Sequence, residues 1–301
     1  MTETAARVPL SSRKEARIRR GRLGLRATTI LLRVVAFLVV CAGALSMLVP
    51  FLWMLITSFK NPGEIFVYPP QWIPSQIRWQ NYTEALTSLP FERWYANTVY
   101  ITVVTTVGEV LSASVAGYAF ARLRAPGRDL LFMLVISTML LPRQVTLIPV
   151  FLIFRAMGAI DTFTPLILPG WLGGGAFNIF LCRQFFLTLP LELDDAAKID
   201  GCDVIGIFWR IILPLSRPVL AVVTVFSIIG KWNEFLEPVI YLQTPTKYVV
   251  AIGLRLFRDY QATSYHWLMA AAVVTMLPCL IIFFVAQKSF VQGIATTGLK
   301  G

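Results

Sequence analysis

Charge is scarce in this sequence. Only 14% of its 301 residues are Asp, Glu, Lys or Arg, against roughly 25% in an ordinary soluble domain. So few charges cannot coat a fold of this size for water, and 56% apolar residues exclude disorder as well as a water-soluble enzyme of this length. Histidine and cysteine are scarce too. The single histidine, His266, and the scattered Cys41, Cys182, Cys202 and Cys279 offer no C-x-x-C pair and no clustered three- or four-ligand set of the kind zinc needs. They imply no disulfide framework and read as small buried hydrophobes. A phosphate-cradling G-x-x-x-x-G-K-[ST] loop is missing as well. The only Gly-Lys pair, Gly230-Lys231, is followed by Trp232 and lacks the earlier glycine.

What the chain does have is long apolar runs. A bilayer core about 30 Å thick takes roughly 20 apolar residues as a helix. Six candidate spans follow: Ile30–Ile56, Thr98–Phe120, Leu130–Phe154, Phe163–Leu187, Ile211–Gly230 and Leu268–Gln287. The first is too long for the ~7–15-residue core of a cleaved signal and continues past Ala42-Gly43-Ala44, so it reads as an uncleaved anchor. Pro142-Arg143-Gln144 interrupts the third, Gly170 and Gly173-Gly174-Gly175 the fourth, and Pro214 and Pro218 open the fifth. Irregular backbone at membrane depth survives where it is buried in protein or lines a wet cavity. The interruptions therefore mark either a bundle around a path or ordinary proline kinks with small-residue contacts.

The net charge of +11 is placed as a membrane protein requires, beside the spans, and not as a nucleic-acid surface would be. Arg7, Arg13, Lys14, Arg17, Arg19, Arg20, Arg22 and Arg26 precede span one. Arg122, Arg124 and Arg128 lie between spans two and three, Lys198, Arg210 and Arg217 between four and five, and Lys288 and Lys300 after six. With six spans all of these fall on one side, which the positive-inside rule makes cytoplasmic, together with both termini. The expected organisation is a basic arm over 1–29, a membrane domain over 30–290 and a tail over 291–301. Trp72, Trp79, Trp94 and Tyr95 in the outer segment suit an interfacial belt. Lys231, Lys247, Arg255 and Arg258 between spans five and six run against the rule, although Glu234, Glu237 and Asp259 accompany them.

Between spans four and five, Pro190 is placed for a first helical turn. Glu192, Asp194 and Asp195 follow it, where negative charge complements the helix dipole. Leu193, Ala196 and Ala197 share a face, and Asp200-Gly201 breaks the helix, glycine taking the left-handed cap without penalty. A second short helix sets Ile205, Phe208, Ile211 and Ile212 on one side. The fold class is thus all-α, a polytopic membrane protein of six transmembrane helices with a cytoplasmic helix–turn–helix elbow over 190–214. Such an elbow fits docking into another protein's groove; the other reading is a loop that covers the bundle end.

The stretch from Asp195 to Pro214 resembles the EAA motif of ABC-importer permease subunits: an acid followed by Ala196-Ala197, then Asp200-Gly201, a spaced Phe208 and Leu213-Pro214. Asp195 stands where the family usually has Glu, which keeps the charge and shortens the reach by one methylene. Pro50 to Lys60, Asn81-Tyr82, Gly117 to Arg122, Trp232 to Pro238 and Gly298 to Gly301 resemble the carbohydrate, MalG-like, binding-protein-dependent branch. The resemblance implies a permease of the bacterial inner or plasma membrane, paired with a second permease as a heterodimer. It also implies two cytoplasmic ATPase subunits holding ATP and Mg, an extracytoplasmic sugar-binding protein, and no cofactor in this chain. Asp195, Ala196, Ala197, Asp200, Gly201, Phe208 and Pro214 would then be the coupling residues, and the chain itself would catalyse nothing. The alternative is an ion-coupled secondary carrier, expected to show inverted repeats and an intramembrane ion site, of which there is no evident repeat.

Three groups are candidates for the solute path. Glu109 falls near the middle of span two, where an ionisable group faces a cavity or pairs with another helix. Trp232, Asn233 and Glu234 combine an aromatic face with an amide and a carboxylate, a mix suited to a sugar or to an interfacial cap on span five. Arg143 and Gln144 form the third.

Overall fold

The computed structural model describes residues 10–259 and 264–298, with side chains over 29–257 and 264–287. The described residues are helical, with short turns and no strand. The chain divides into two compact units between Ile56 and Thr57. The first is one long helix, α1 (Leu10–Ser58), which ends just inside the second unit. Most of its apolar side chains from Ile30 to Leu55 are exposed, as suits a surface solvated by lipid. The basic side chains of the N-terminal arm lie outside the described residues.

The second unit contains α2 (Gln80–Ser88), α3 (Phe91–Arg122), α4 (Arg128–Ser137), α5 (Arg143–Ala156), α6 (Thr164–Gly173), α7 (Ala176–Thr188), α8 (Glu192–Ile199), α9 (Val204–Ile207), α10 (Leu213–Leu215), α11 (Arg217–Trp232), α12 (Leu236–Tyr241), α13 (Val250–Asp259) and α14 (Tyr265–Gly298). Among the described residues, four stretches are long and apolar enough to cross a membrane: Thr29–Ser58, Phe91–Arg122, Thr164–Thr188 and Tyr265–Gln287. Two bent pairs bring the number to six when each counts as one span. They are Arg128–Leu140 with Arg143–Ala156, at 104°, and Val204–Leu215 with Arg217–Trp232, at 79°. Both bends fall at the prolines that interrupt spans three and five in the sequence. A ring without an N–H cannot continue the hydrogen-bond ladder, and Pro142 sits directly before α5.

Helices α1 and α14 run continuously through residues 29/30 and 290/291. Helix α3 is the mast of the second unit, flanked by α6, α7 and α11. Lipid removes most of the hydrophobic drive between helices, so small residues that let backbones approach do the packing. A Cβ on Gly117 would stand 2.6 Å from Cys182 Cβ, and one on Gly174, already in the left-handed region at φ +57, would stand 2.5 Å from the Ala113 backbone nitrogen. The glycines at the break between α6 and α7 thus seat span four against span two.

Two clamps order the segments between spans. Asn81 donates to the carbonyls of Ser58 and Lys60, both at 2.9 Å, and the Ser58 and Tyr82 hydroxyls pair at 2.8 Å. Asp161, at φ +59, accepts from the Thr244 hydroxyl, the Thr244 and Gln243 amides and Lys247 Nζ, 2.9 Å away. Those donors hold its carboxyl well below the ordinary carboxylate range. Trp94 is not part of an interfacial belt. It is 1% exposed, its indole donates to the Pro245 carbonyl at 2.8 Å, and it packs against Gly253. Trp72 and Trp79 are exposed as expected.

Candidate functional site

Spans two, three, four and five line an open cleft of about 440 Å³, whose polar groups are Glu109, Thr138, Arg143, Asn178, Ser227, Lys231 and Glu234 and whose remaining wall is largely apolar, with Met139, Leu141, Phe177 and Phe226. Glu109 comes from the middle of α3, Asn178 from the first turn of α7, and Ser227 and Lys231 from α11. Arg143 opens α5 just after the sharp bend, and Glu234 lies in the break between α11 and α12. The breaks in these helices therefore carry two of the charged groups.

The charges meet in opposite-sign pairs. Lys231 Nζ is 3.3 Å from Glu109 Oε1, with both side chains largely buried. Arg143 Nη1 is 3.1 Å from Glu234 Oε2 and 3.8 Å from Glu237 Oε1. Asn178 donates to the Ser227 hydroxyl at 3.3 Å. Charges at this depth are tolerable because they are paired or face a cavity, and here they do both. The wall offers amide, hydroxyl, carboxylate and cationic groups around one cleft. A further depression of about 470 Å³ is walled by residues 124–130 alone, a loop and the first turn of α4, and joins no second span.

Of the sequence candidates, Glu109, Arg143 and Glu234 come together in this wall. Trp232 faces elsewhere: it is buried, donates to the Thr275 carbonyl of α14 at 3.1 Å and meets Tyr95 edge-on at 5.5 Å. Asn233 folds back on the Ile229 carbonyl at 2.8 Å, and neither it nor Gln144 lines the cavity. Lys231, Asn178 and Ser227 escaped the sequence reading. Lys231 left one signal, as a lysine on the side where the positive-inside rule wants none, and its ion pair accounts for that anomaly. Lys247 is likewise tied up, on Asp161.

The segment between spans four and five forms a second site. Helix α8 begins at Glu192, so Pro190 lies ahead of the first turn and not within it. The helix ends in a paired-bond cap: Cys202 N–H donates to the Ala197 carbonyl at 2.9 Å and Gly201 N–H to that of Lys198 at 3.0 Å. Gly201 sits at φ +79, as this cap requires. Asp203 then accepts from Gly206 N–H at 2.8 Å and starts α9.

The inward face of this segment differs from the expected one. Asp194 and Ala197 are buried, whereas Ala196 is exposed. Residues 208–212 form a π turn, and the expected apolar stripe is split. Phe208 and Ile212 go into the core while Ile205 is 66% exposed. Phe208 meets the Tyr118 ring at a tilt, 5.1 Å between ring centroids, and so supports the segment from inside. Asp195, Ala196, Asp200 and Gly201 lie on the outer surface with Ile199, Val204, Ile205 and Trp209. Pro214 is exposed within the short α10, before the bend into α11.

A helical membrane bundle with a polar cavity between its spans and an apolar, acidic elbow at one end is the architecture of a transport subunit. Residues 110–296 match the family described as binding-protein-dependent transport system inner membrane component. The chain is 33% identical over 253 residues to the probable ABC transporter permease protein YurM of Bacillus subtilis, covering 84% of this chain and 83% of that one. It is 33% identical over 255 residues to the arabinooligosaccharides transport system permease protein AraQ of Halalkalibacterium halodurans, covering 84% and 91%. Its fold is similar to a chain in the crystal structure of a bacterial ABC transporter involved in the import of the acidic polysaccharide alginate, with TM-score 0.74, 23% identity, and coverage of 94% of this chain and 99% of that one. The chain belongs to the family of inner membrane components of binding-protein-dependent transport systems.

Proposed function

We propose that this chain forms half of the translocation path of an ATP-driven ABC importer for a carbohydrate or related polyol, and that the Glu109–Lys231 cavity is its share of that path. The observation that carries the path is the meeting of Glu109, Arg143, Lys231 and Glu234 around one polar volume. Relatives named for arabinooligosaccharide and galactooligosaccharide transport support the sugar class. Hydroxyl-rich solutes are matched by the alternating donors and acceptors of the wall.

The elbow over 190–214 is the ATPase-facing segment. Asp195, Ala196, Asp200, Gly201 and the exposed Pro214 offer its contact surface, with the buried Ala197 and Phe208 holding its shape from behind. A second permease completes the path, two ATPase subunits bind ATP with Mg on the cytoplasmic side, and an extracytoplasmic binding protein delivers the sugar. Both termini are cytoplasmic, with a basic arm over 1–29, the membrane domain over 30–290 and a tail over 291–301. A solved alginate ABC transporter in complex with a pentasaccharide-bound periplasmic protein supports the kind of assembly.

Purification from native membranes followed by reconstitution tests this reading. An ATPase subunit should co-purify, and oligosaccharide uptake into proteoliposomes should require internal ATP together with the binding protein. Uptake by this chain alone, driven by a proton or sodium gradient, would instead establish the ion-coupled carrier.

A further inference from the structure

We infer that Arg122 and Asp194 form the positioning contact through which movement of the α8 elbow passes to span two, and so to the Glu109 cavity. The inference rests on the reading of the elbow as ATPase-facing. Arg122 is the last residue of α3. Its guanidinium is buried and donates to the carbonyls of Phe186, at 2.9 Å, and Leu189, at 2.7 Å. Those groups close the end of α7, where helical carbonyls lack intrahelical partners. The same guanidinium faces the buried carboxylate of Asp194 in the first turn of α8, with Nη1 3.6 Å from Oδ2. One cation thus joins the ends of spans two and four to the start of the elbow.

The two sides of this junction are held unequally. Toward α7 Arg122 makes two short charge-assisted bonds, the strong class of hydrogen bond. Toward α8 it makes a single long contact. Asp194 Oδ1 and Arg122 Nε are buried without a hydrogen-bond partner, and buried polar atoms left unpaired are uncommon and costly. Arg122 therefore travels with α3 and α7, and the contact with Asp194 is the one that changes when α8 is pushed or pulled. Glu109 lies about 20 Å from Arg122 along the same unbroken helix, at about 1.5 Å rise per residue. A rigid rod anchored to the elbow at one end and to the cavity at the other is a physical link between the two sites.

The test uses the complete complex in nanodiscs, with the four native cysteines changed to alanine and a reporter at Gly230→Cys. Gly230 lines the cavity, and a Cβ there meets no atom within 4 Å. Labelling by a membrane-impermeant maleimide is timed without nucleotide and after trapping with Mg-ATP and orthovanadate. The parent should label at different rates in the two states. Asp194→Asn should keep its bound ATPase but lose that difference, and Asp194→Glu should regain it. A nucleotide-dependent difference that survives in Asp194→Asn overturns the inference. So does loss of the ATPase itself in that variant, which makes the pair a structural anchor only, or a failure of Asp194→Glu to rescue. No difference in the parent overturns the elbow reading, and the inference with it.

Discussion

Lys231 Nζ lies 3.3 Å from Glu109 Oε1, joining the last turn of α11 to the middle of α3 inside the cavity wall. The two groups make each other tolerable at membrane depth. Lys231→Met should leave a buried, unpaired carboxylate and cost about 3–5 kcal/mol, read as a lower melting temperature in detergent. Glu109→Gln combined with Lys231→Met should recover most of that loss. Glu109→Gln alone should alter uptake kinetics in the reconstituted complex. Wild-type kinetics across several oligosaccharides would leave Glu109 a purely structural partner.

Arg143 presents the opposite case. Its side chain is 71% exposed although it meets Glu234 and Glu237, and pairs this open contribute about 0–1 kcal/mol. Arg143→Ala should barely change the melting temperature. If the residue contacts solute, the KM for uptake should rise nonetheless, and an unchanged KM removes it from the path.

Gly201 tests the elbow. At φ +79 with its N–H bonded to the Lys198 carbonyl, the position excludes proline on both counts. Gly201→Pro should abolish co-purification with the ATPase while the chain still inserts in the membrane. Gly201→Ala meets no steric neighbour and should weaken the cap by only about 1–2 kcal/mol. Association unchanged in the proline variant would rule out the proposed docking surface.

The Asp161 clamp sets a pH dependence. Its carboxyl is held well below the ordinary range, chiefly by the Thr244 hydroxyl and then by the Thr244 and Gln243 amides and Lys247. A depressed folded pKa stabilises above the unfolded value, about 3.9, and that stability is lost as pH falls through the folded value. The melting-temperature gap between wild type and Asp161→Asn should therefore be constant from neutral pH down to about 4, and narrow only in stronger acid. A gap that closes between pH 7 and 5 would show that another group carries the effect.

Gly253 tests the packing of α13. A Cβ there would collide with the six-membered ring of Trp94, and the indole is pinned by its bond to the Pro245 carbonyl. Gly253→Ala should cost about 1–3 kcal/mol, as overpacked interiors do, and the loss should show in thermal melts. An unaltered melt would mean that the indole has room to move.

The long apolar helices and the breaks within three of the apolar runs were legible along the chain, because lipid imposes one length and one composition on any helix that crosses it. Proline and glycine announced the bends at residues 142 and 214–218 and the break at 173–175 for equally local reasons. Glu109, Arg143 and Glu234 could be singled out one by one, since a charge near the middle of a span or at a helix break stands out.

Their meeting in one wall, and the lysine that completes it, depended on which faces of α3, α5 and α11 turn toward each other. Period and propensity do not encode that choice. The same holds for Trp94, Trp232 and Phe208. An aromatic ring satisfies an interface, a binding pocket or a core equally well on paper, and only the neighbours supplied by distant segments decide among them. Ile205 faces outward while Ile207, Phe208 and Ile212 face inward, a choice the helical period left open. Asp194, outwardly one more acid at a helix start, was drawn inside by Arg122. Sequence alone determined that this chain crosses a membrane, where it breaks and which family it belongs to. Tertiary packing alone decided which charges face one another across the cavity and which face of the elbow remains free.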